Sequence, residues 1–320
     1  MTDDPAVQAQ LRKRKPHTAF VILIISLAQM VMMAVAIILN GGIEPLGVNY
    51  MAGPSNLVLL HLGAKWAPCM RAEPWRQEAT PIVRCPSGYE GPTLNGTHCE
   101  YYDVIEFRCG MGGWLGGEYP DQYWRFVTPI FLHTGLFHLA INLVFQIWRG
   151  VPIERDIGSI RMFLIYFISA IFGIAFGAIM APNAISTGPS GALFSLLAIL
   201  LIDLILNWKL AVSPVKNLIV LIVIIIFLLA IGILPFIDNF MHVGGFLAGI
   251  LAACIFVPHI NFGKWDAIRK KILVIVAIIL LLGIYAIAFY TFYDGVETNH
   301  CSWCEIIDCI PPGTDWCATI

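Results

Sequence analysis

A serine and a histidine each stand at the start of a long apolar stretch. Ser190 lies in the Gly-Pro-Ser-Gly segment at 188–191, and His242 follows Asp238 at the start of a later stretch. A histidine within about 3 Å of a serine hydroxyl can take its proton and activate the oxygen as a nucleophile. Taken singly, the tetrapeptide is an ordinary turn and the histidine a polar contact between helices. The pair indicates nucleophilic chemistry only if the two stretches meet.

A second polar pair, His138 and Asn142, is four residues apart and therefore lies on one face of a helix. Two such donors can stabilise the oxyanion that forms when a serine attacks an amide, at roughly 3 kcal/mol for each donor. The alternative is hydrogen bonding between helices.

Gly245 and Gly249 keep one face of the His242 stretch small, and Gly191 offers a matching surface after Ser190. Such faces let helices approach closely in a membrane. Asp238, four residues before His242, is expected at the solvated membrane edge, with orientation of the imidazole as the alternative.

The composition indicates whether these stretches lie in water or in a lipid bilayer. The 320 residues are 58% hydrophobic and only 12% charged, and the net charge of -2 gives no indication of nucleic-acid binding. Seven apolar stretches have about the length that crosses a bilayer. They are Thr18–Leu39, Pro129–Trp148, Met162–Met180, Gly191–Leu206, Leu218–Leu234, Phe240–Val257 and Ile272–Phe292. The sequence therefore predicts an all-α membrane protein, with the first stretch an uncleaved anchor because its apolar run is longer than that of a signal peptide.

Charge and cysteine positions predict how the chain is oriented. If the N-terminus is cytoplasmic, thirteen of the 19 Lys and Arg residues share its compartment, and the others all lie in the long first loop. The expected organisation is a cytoplasmic tail (1–17), a membrane domain (18–292) with an outer loop (40–123), and an outer tail (293–320). Eight cysteines in the loop and tail are candidates for disulfides: Cys69, Cys85, Cys99, Cys109, Cys301, Cys304, Cys309 and Cys317.

Two further features belong to these outer segments. Asn95 begins an Asn-Gly-Thr acceptor for N-glycosylation in the first loop. Cys301 and Cys304 form a Cys-x-x-Cys pair, for which zinc binding or redox chemistry is the alternative to a structural bridge. We expect no metal site and no cofactor.

Taken together, these motifs resemble those of the rhomboid intramembrane serine proteases over about residues 124–257. The matching residues are Trp124-Arg125, His138-x-x-x-Asn142, the Gly-x-Ser-Gly form at 188–191, and His242-x-x-Gly245-x-x-x-Gly249. The resemblance implies a six-helix core with a seventh C-terminal transmembrane helix. It also implies Ser190 as nucleophile, His242 as general base, and His138 and Asn142 in an oxyanion hole. Trp124 and Arg125 would belong to a loop that shapes the site.

Pro189 departs from the pattern of the active proteases. Proline has no backbone N–H and restricts the preceding residue, Gly188, so it removes a donor and can re-aim the serine. Proline at this position is typical of the inactive branch, the iRhoms. We predict an intramembrane serine endopeptidase that cleaves single-span proteins in the Golgi, endoplasmic reticulum or plasma membrane. The alternative is an iRhom-like pseudoprotease that binds transmembrane clients, whereas a transporter or channel lacks support because no paired repeats or charged path are present.

Overall fold

A computed structural model provides the coordinates. It describes residues 4–13, 16–71, 82–85, 91, 93, 96–111, 120–232 and 238–294. Asn95 and the four tail cysteines lie outside the described residues, as does most of the predicted tail at 293–320.

The described residues are mostly helical. The apolar helices are α2 (Val21–Leu39), α6 (Leu136–Phe145) continued through a π-helical turn (Gln146–Gly150) into α7 (Val151–Ile157), α8 (Ser159–Met180), α9 (Ser190–Leu206), α10 (Pro214–Ile231), α11 (Asn239–Phe256) and α12 (Lys264–Asp294). Six of these segments are long and apolar enough to cross a membrane, and α9 is a shorter apolar helix of 17 residues. This is the predicted all-α arrangement of six helices plus a C-terminal seventh.

The second span differs from its predicted bounds. The sequence placed it at Pro129–Trp148, whereas α6 begins at Leu136 and the helix continues to Ile157. Pro129 instead lies in a 3₁₀ turn, Thr128–Phe131, which follows a similar turn at Tyr123–Phe126. Proline has no N–H for an interior helical hydrogen bond, so the apolar run extends beyond the helix at this end.

The first loop forms a compact unit beside the helices. It contains α3 (Asn56–His61), α4 (Ala67–Met70), α5 (Tyr101–Cys109) and a two-stranded antiparallel ladder, β1 (Ile82–Arg84) with β2 (His98–Glu100). Disulfides join Cys69 to Cys109 and Cys85 to Cys99, so the four loop cysteines predicted as candidates pair with one another. One bridge lies inside the sequence span of the other, which holds α4, the hairpin and α5 together.

The centre of the bundle is formed by α8, α9 and α11. Helix α11 packs against both other helices, and every residue from Ser190 to Ile199 at the start of α9 is buried. The fourth and sixth apolar stretches, α9 and α11, therefore face protein along much of their length. By contrast, Leu221 and Ile225 are the buried residues of α10, so this helix is held to the bundle by few side chains.

The short helix α1 (Pro5–Lys13) lies against the end of the bundle that carries the α11–α12 connection. The Gln10 side chain donates from Nε2 to the carbonyl of Asn261 and accepts from the Asn261 N–H, both at 3.0 Å. Val7 of the same helix is buried. The N-terminal segment therefore packs on the helices, at least over α1.

Candidate functional site

Ser190 is the first residue of α9 and is buried, with 8% of its surface exposed. The turn before it is held by the segment that leads into α6. The N–H of Gly188 donates to the carbonyl of Pro129 at 2.8 Å, and the hydroxyls of Thr134 and Thr187 are 3.0 Å apart. Gly188 has a φ of +110°, a backbone conformation that favours glycine. These contacts fix where the serine leaves the turn.

Pro189 is the N-cap residue of α9, so its missing N–H falls where a helix has no internal acceptor for it. Its carbonyl still accepts the N–H of Leu193 at 3.0 Å. The proline is therefore compatible with the start of the helix, although it supplies no N–H beside Ser190.

His242 lies in the first turn of α11 and is buried. Its ring stacks on Phe194, with centroids 4.6 Å apart and planes inclined by 20°. Phe194 follows Ser190 by four residues, so it lies on the same face of α9 as the serine. The structure thus brings the two predicted residues to one face between α9 and α11.

The serine hydroxyl and the imidazole do not form a hydrogen bond. Among the described residues, Ser190 Oγ makes no hydrogen bond, and His242 Nδ1 is buried and unpaired. A Cβ on Gly232, at the end of α10, would lie 3.0 Å from that Nδ1 atom. Proton transfer needs a hydrogen bond of about 2.6–3.2 Å, so this arrangement holds the two groups adjacent without connecting them.

His138 and Asn142 face the turn at 188–191, as the motif predicts. A Cβ on Gly188 would lie 3.0 Å from His138 Cε1 and 3.4 Å from Asn142 Nδ2. Asn142 Nδ2 and His138 Nδ1 are both buried without a hydrogen-bond partner among the described residues. Two potential donors therefore lie beside the serine turn.

His133 adds a buried imidazole that the sequence analysis missed. Its ring meets that of His138 edge to face, with centroids 5.3 Å apart. Burial lowers the pKa of His133 well below 6.5, and the nearby His138 lowers it further, so His133 is neutral at physiological pH. In a continuous helix, two residues five positions apart would lie on different faces. His133 and His138 meet because the chain at 132–135 is not helical.

The small residues of α9 and α11 make the predicted close approach. A Cβ on Gly245 would come closer than 3.0 Å to the backbone of Gly191, and one on Gly249 would lie 2.8 Å from Ser195 Cα. The two helices therefore touch through their backbones, directly behind Ser190 and His242.

Asp238 is neither solvated nor bound to the imidazole, so the expectation for this residue is wrong in both forms. Its carboxylate is buried and forms an ion pair with Lys65 Nζ at 3.0 Å. It also accepts from Ser186 Oγ at 2.6 Å and from the Met241 N–H at 2.9 Å. A buried carboxylate needs such partners, and the first loop supplies the cation.

Lys65 is fully buried and also donates to the carbonyls of Gly177 and Ala181 at the C-terminal end of α8, at 3.2 and 3.1 Å. Its backbone pairs with Ser186 in an isolated antiparallel bridge. One lysine of the first loop therefore joins the end of α8, the segment before the serine turn and the start of α11.

Arg125 stabilises the loop beside the site. Its guanidinium is fully buried and donates to three carbonyls, those of Leu60, Ala64 and Cys109, and to the Gln122 side chain. Burial lowers the pKa of Arg125 to about 9, so the group is still charged at neutral pH. Trp124 is partly exposed, and its indole N–H lies 3.1 Å from Met111 Sδ.

Comparison with known proteins agrees with the rhomboid motifs of this site. The Rhomboid domain family matches residues 120–259, which include the serine turn, His242, His138 and Asn142. The chain is 33% identical over 278 residues to "Inactive rhomboid protein 1" of Danio rerio, an alignment that covers 85% of this chain and 32% of that protein.

Two human proteins match to a similar degree. "Inactive rhomboid protein 1" and "Inactive rhomboid protein 2" are each 34% identical over 221 residues, covering 69% of this chain and 26% of each relative. The chain thus spans about a quarter to a third of the length of these relatives.

Proposed function

Because the chain belongs to the rhomboid superfamily, we propose that it is a pseudoprotease that binds the transmembrane segments of other membrane proteins without cleaving them. The matching relatives are named inactive, which favours this alternative over the intramembrane protease. Client binding needs the helical scaffold and its polar interior but no turnover. The proposal covers only the part of the relatives that this chain spans.

The main structural support is the absence of a hydrogen bond between the Ser190 hydroxyl and the His242 imidazole. A serine hydroxyl is a weak nucleophile unless a base accepts its proton. The stacking of His242 on Phe194 fixes the plane of the ring, while Ser190 Oγ makes no hydrogen bond to it among the described residues. A displacement of about 1 Å from a productive geometry costs on the order of a hundredfold in rate.

Pro189 adds to this effect. It removes one N–H beside the position where an oxyanion would form, and the loss of one such donor costs roughly 3 kcal/mol. It also restricts the backbone of Gly188, against which His138 and Asn142 pack. The residues of a proteolytic apparatus are therefore present, but no hydrogen bond joins Ser190 to His242 among the described residues.

The binding of a client requires a helix that can be joined or displaced at low cost. Helix α10 is the best candidate because it buries only Leu221 and Ile225 and shields the His242 side of the bundle. A polar group beside the end of this helix, at His242, could pair with polar residues of a client helix. Single-span membrane proteins are the partners that this surface fits.

We further propose the orientation and location that the sequence indicates. The N-terminus would be cytoplasmic, with the disulfide-linked loop on the lumenal or extracellular side of the secretory pathway. The two bridges among the loop cysteines support this orientation because disulfides persist in oxidising compartments.

An active intramembrane serine endopeptidase is the second candidate. Ser190, His242, His138 and Asn142 are all present, and the last two face the serine turn. In this case Ser190 Oγ would attack the scissile carbonyl, with His242 accepting its proton and donating it to the leaving amine.

Labelling with a fluorophosphonate probe separates the two candidates. The purified native chain is compared with Ser190→Ala and with Ser195→Ala, a control that removes another buried hydroxyl of α9. We expect equal background labelling in all three, because Ser190 is not activated. Labelling that is lost only in Ser190→Ala would contradict the pseudoprotease and establish the enzyme.

Cleavage and binding of a single-span reporter complete the test. The native chain and Ser190→Ala should co-purify equal amounts of intact reporter. If Pro189→Ala gains Ser190-dependent cleavage, proline is the residue that holds the serine out of reach. Absence of reporter binding in every variant would overturn the client-binding function.

A further inference from the structure

A cavity of about 730 Å³ opens between α9 and α10 at the end of the bundle that carries α1. This volume lies in the range of pockets that bind small ligands, roughly 300–1,000 Å³. It is separate from the serine turn, since α9 begins at Ser190 and the cavity is formed by the last residues of that helix. The proposed client-binding function involves α10, which forms one wall of this cavity, but it assigns no ligand to the cavity.

The mouth of the cavity is polar and carries more positive than negative charge. Arg149 and Lys216 line it, and Asp203 is the acidic residue among the lining side chains. The Asp203 carboxylate accepts a hydrogen bond from Asn207 Nδ2 at 2.8 Å. Lys216 lies in the first turn of α10, where the helix dipole adds positive potential. The mouth therefore favours an anionic group.

Asn207 marks the same end of the cavity. Its side chain lines the cavity and is 8% exposed, and its Oδ1 is buried without a hydrogen-bond partner among the described residues. A buried carbonyl oxygen without a donor is costly. A ligand that carries hydroxyl or ammonium donors near its anionic group would satisfy it.

The deeper part of the cavity is apolar. Leu200 and Leu204 line it from α9, and Leu221 and Ile224 line it from α10. Helix α9 ends and α10 begins at this end of the bundle. These four residues therefore lie further from that end than Asn207 and Lys216 do. The cavity thus has a charged mouth at the membrane surface and an apolar channel towards the bilayer centre.

We infer that this cavity binds one anionic phospholipid, with its phosphodiester between Arg149 and Lys216 and an acyl chain along the channel. Basic pockets between transmembrane helices are known to hold anionic headgroups. In the proposed orientation the mouth faces the cytoplasmic leaflet, which is rich in such lipids. Phosphatidylserine combines the phosphate with an ammonium donor that suits Asn207.

The test uses the full chain in phosphatidylcholine nanodiscs that contain phosphatidylserine with a photoactivatable group in its acyl chain. Cross-links should map to α9 or α10 near Leu204 and Ile224. Loss of Arg149 or Lys216, as Arg149→Gln or Lys216→Gln, should reduce cross-linking by about fivefold each. The charge-preserving pair Arg149→Lys with Lys216→Arg should retain it, which separates lost charge from lost fold.

The control is the double variant Lys264→Gln with Lys271→Gln, which removes two exposed cations from the same end of the bundle. It should change cross-linking within about twofold. Asp203→Asn should increase cross-linking, because it removes the negative charge of the mouth. An equal loss in this double-variant control and in Arg149→Gln or Lys216→Gln, or cross-links that map elsewhere, would overturn the inference.

Two competitors distinguish a lipid from its headgroup alone. Dibutanoyl phosphatidylserine and inorganic phosphate both lack a long acyl chain, so each should displace the long-chain probe poorly. Ile224→Trp, which fills the channel, should reduce labelling by the long-chain probe. If inorganic phosphate competes as well as long-chain phosphatidylserine, or if Ile224→Trp has no effect, the lipid assignment is wrong.

Discussion

Arg125 is a buried cation whose described hydrogen-bond partners are all neutral. It donates to three backbone carbonyls and to Gln122, so it satisfies acceptors from α3, α5 and the chain between α3 and α4. The partly exposed Trp124 beside it has no comparable set of contacts. At the scale of single residues, Arg125 is therefore the member of the Trp124-Arg125 motif that stabilises the first loop, through hydrogen bonds in its interior.

Removal of the Arg125 guanidinium should destabilise the first loop strongly. Arg125→Ala leaves buried carbonyls without donors, and each costs about 1–3 kcal/mol. We expect a loss of at least about 3 kcal/mol in the free energy of unfolding, with a smaller loss for Arg125→Lys, whose ammonium cannot reach all four acceptors. Chemical denaturation in detergent measures this loss.

Arg84→Ala is the matched control, because Arg84 is an exposed arginine of the same disulfide-linked loop. It should leave the free energy of unfolding within about 0.5 kcal/mol of the native value. If Arg125→Ala were equally harmless, the hydrogen bonds of Arg125 would have no stabilising role.

At the scale of elements, the site depends on the contact between α9 and α11. Gly191, Gly245 and Gly249 let the two backbones meet, and this contact sets the separation of the residues one turn away on the same helices. Phe194 then fills the space beside the His242 ring. Small residues behind the site and an aromatic residue within it together determine how close Ser190 and His242 lie.

Gly245→Ala tests this contact. A methyl group there meets the Gly191 backbone at less than 3.0 Å, so the helices must separate. We expect a loss of about 1–3 kcal/mol in the free energy of unfolding, as in other overpacked cores. Steric trapping or denaturation in nanodiscs measures it.

Gly283→Ala is the control for helix propensity. Gly283 lies in α12, and a Cβ there would have no neighbour within 4 Å. This variant should be neutral or more stable by up to about 1 kcal/mol, because alanine favours a helix over glycine. An equal change in the free energy of unfolding for Gly245→Ala and Gly283→Ala would show that α9 and α11 do not pack closely at Gly245.

At the scale of the whole molecule, the ion pair between Lys65 and Asp238 connects the outer loop to the helical bundle. The two residues are 173 positions apart, and Lys65 also binds the last carbonyls of α8. Burial raises the pKa of Asp238, but the charge of Lys65 and hydrogen bonds from Ser186 and Met241 lower it more, so the pKa is lowered overall.

The sign of this shift gives the pH dependence of the contact. A carboxyl with a lowered folded-state pKa stabilises the protein above its unfolded pKa of about 3.9, and the stabilisation is lost as the pH falls through the folded-state pKa. The ion pair therefore persists at mildly acidic pH. Acidification to pH 5 should leave the loop attached to the bundle.

Lys65→Met should destabilise the protein by about 3–5 kcal/mol at pH 7, because it leaves the Asp238 carboxylate buried without its cation. The double variant Lys65→Met with Asp238→Asn should recover part of this loss. The difference between the native chain and Lys65→Met should narrow as the pH falls, because a buried Asp238 without its cation takes up a proton at a higher pH than it does in the native chain. A pH-independent difference, or no recovery in the double variant, would show that packing and not charge is responsible.

Local features of the sequence determined much of this protein. Long apolar runs specify transmembrane helices because hydrocarbon has no partner for backbone groups, so the number and order of the helices could be predicted. The motif residues His138, Asn142, Ser190 and His242 could be identified by type and spacing. The four loop cysteines could be placed on one side of the membrane, although their pairing could not be predicted.

Only the tertiary structure decided how distant residues meet. It paired Cys69 with Cys109 and Cys85 with Cys99, and it gave Asp238 a cation from the first loop instead of solvent. It also set the His242 ring against Phe194, without a hydrogen bond to Ser190. Each of these outcomes depends on side-chain positions to within about 1 Å across separate helices and loops. Hydropathy and motif spacing specify which helices form, whereas packing between them decides which polar groups come within hydrogen-bonding distance.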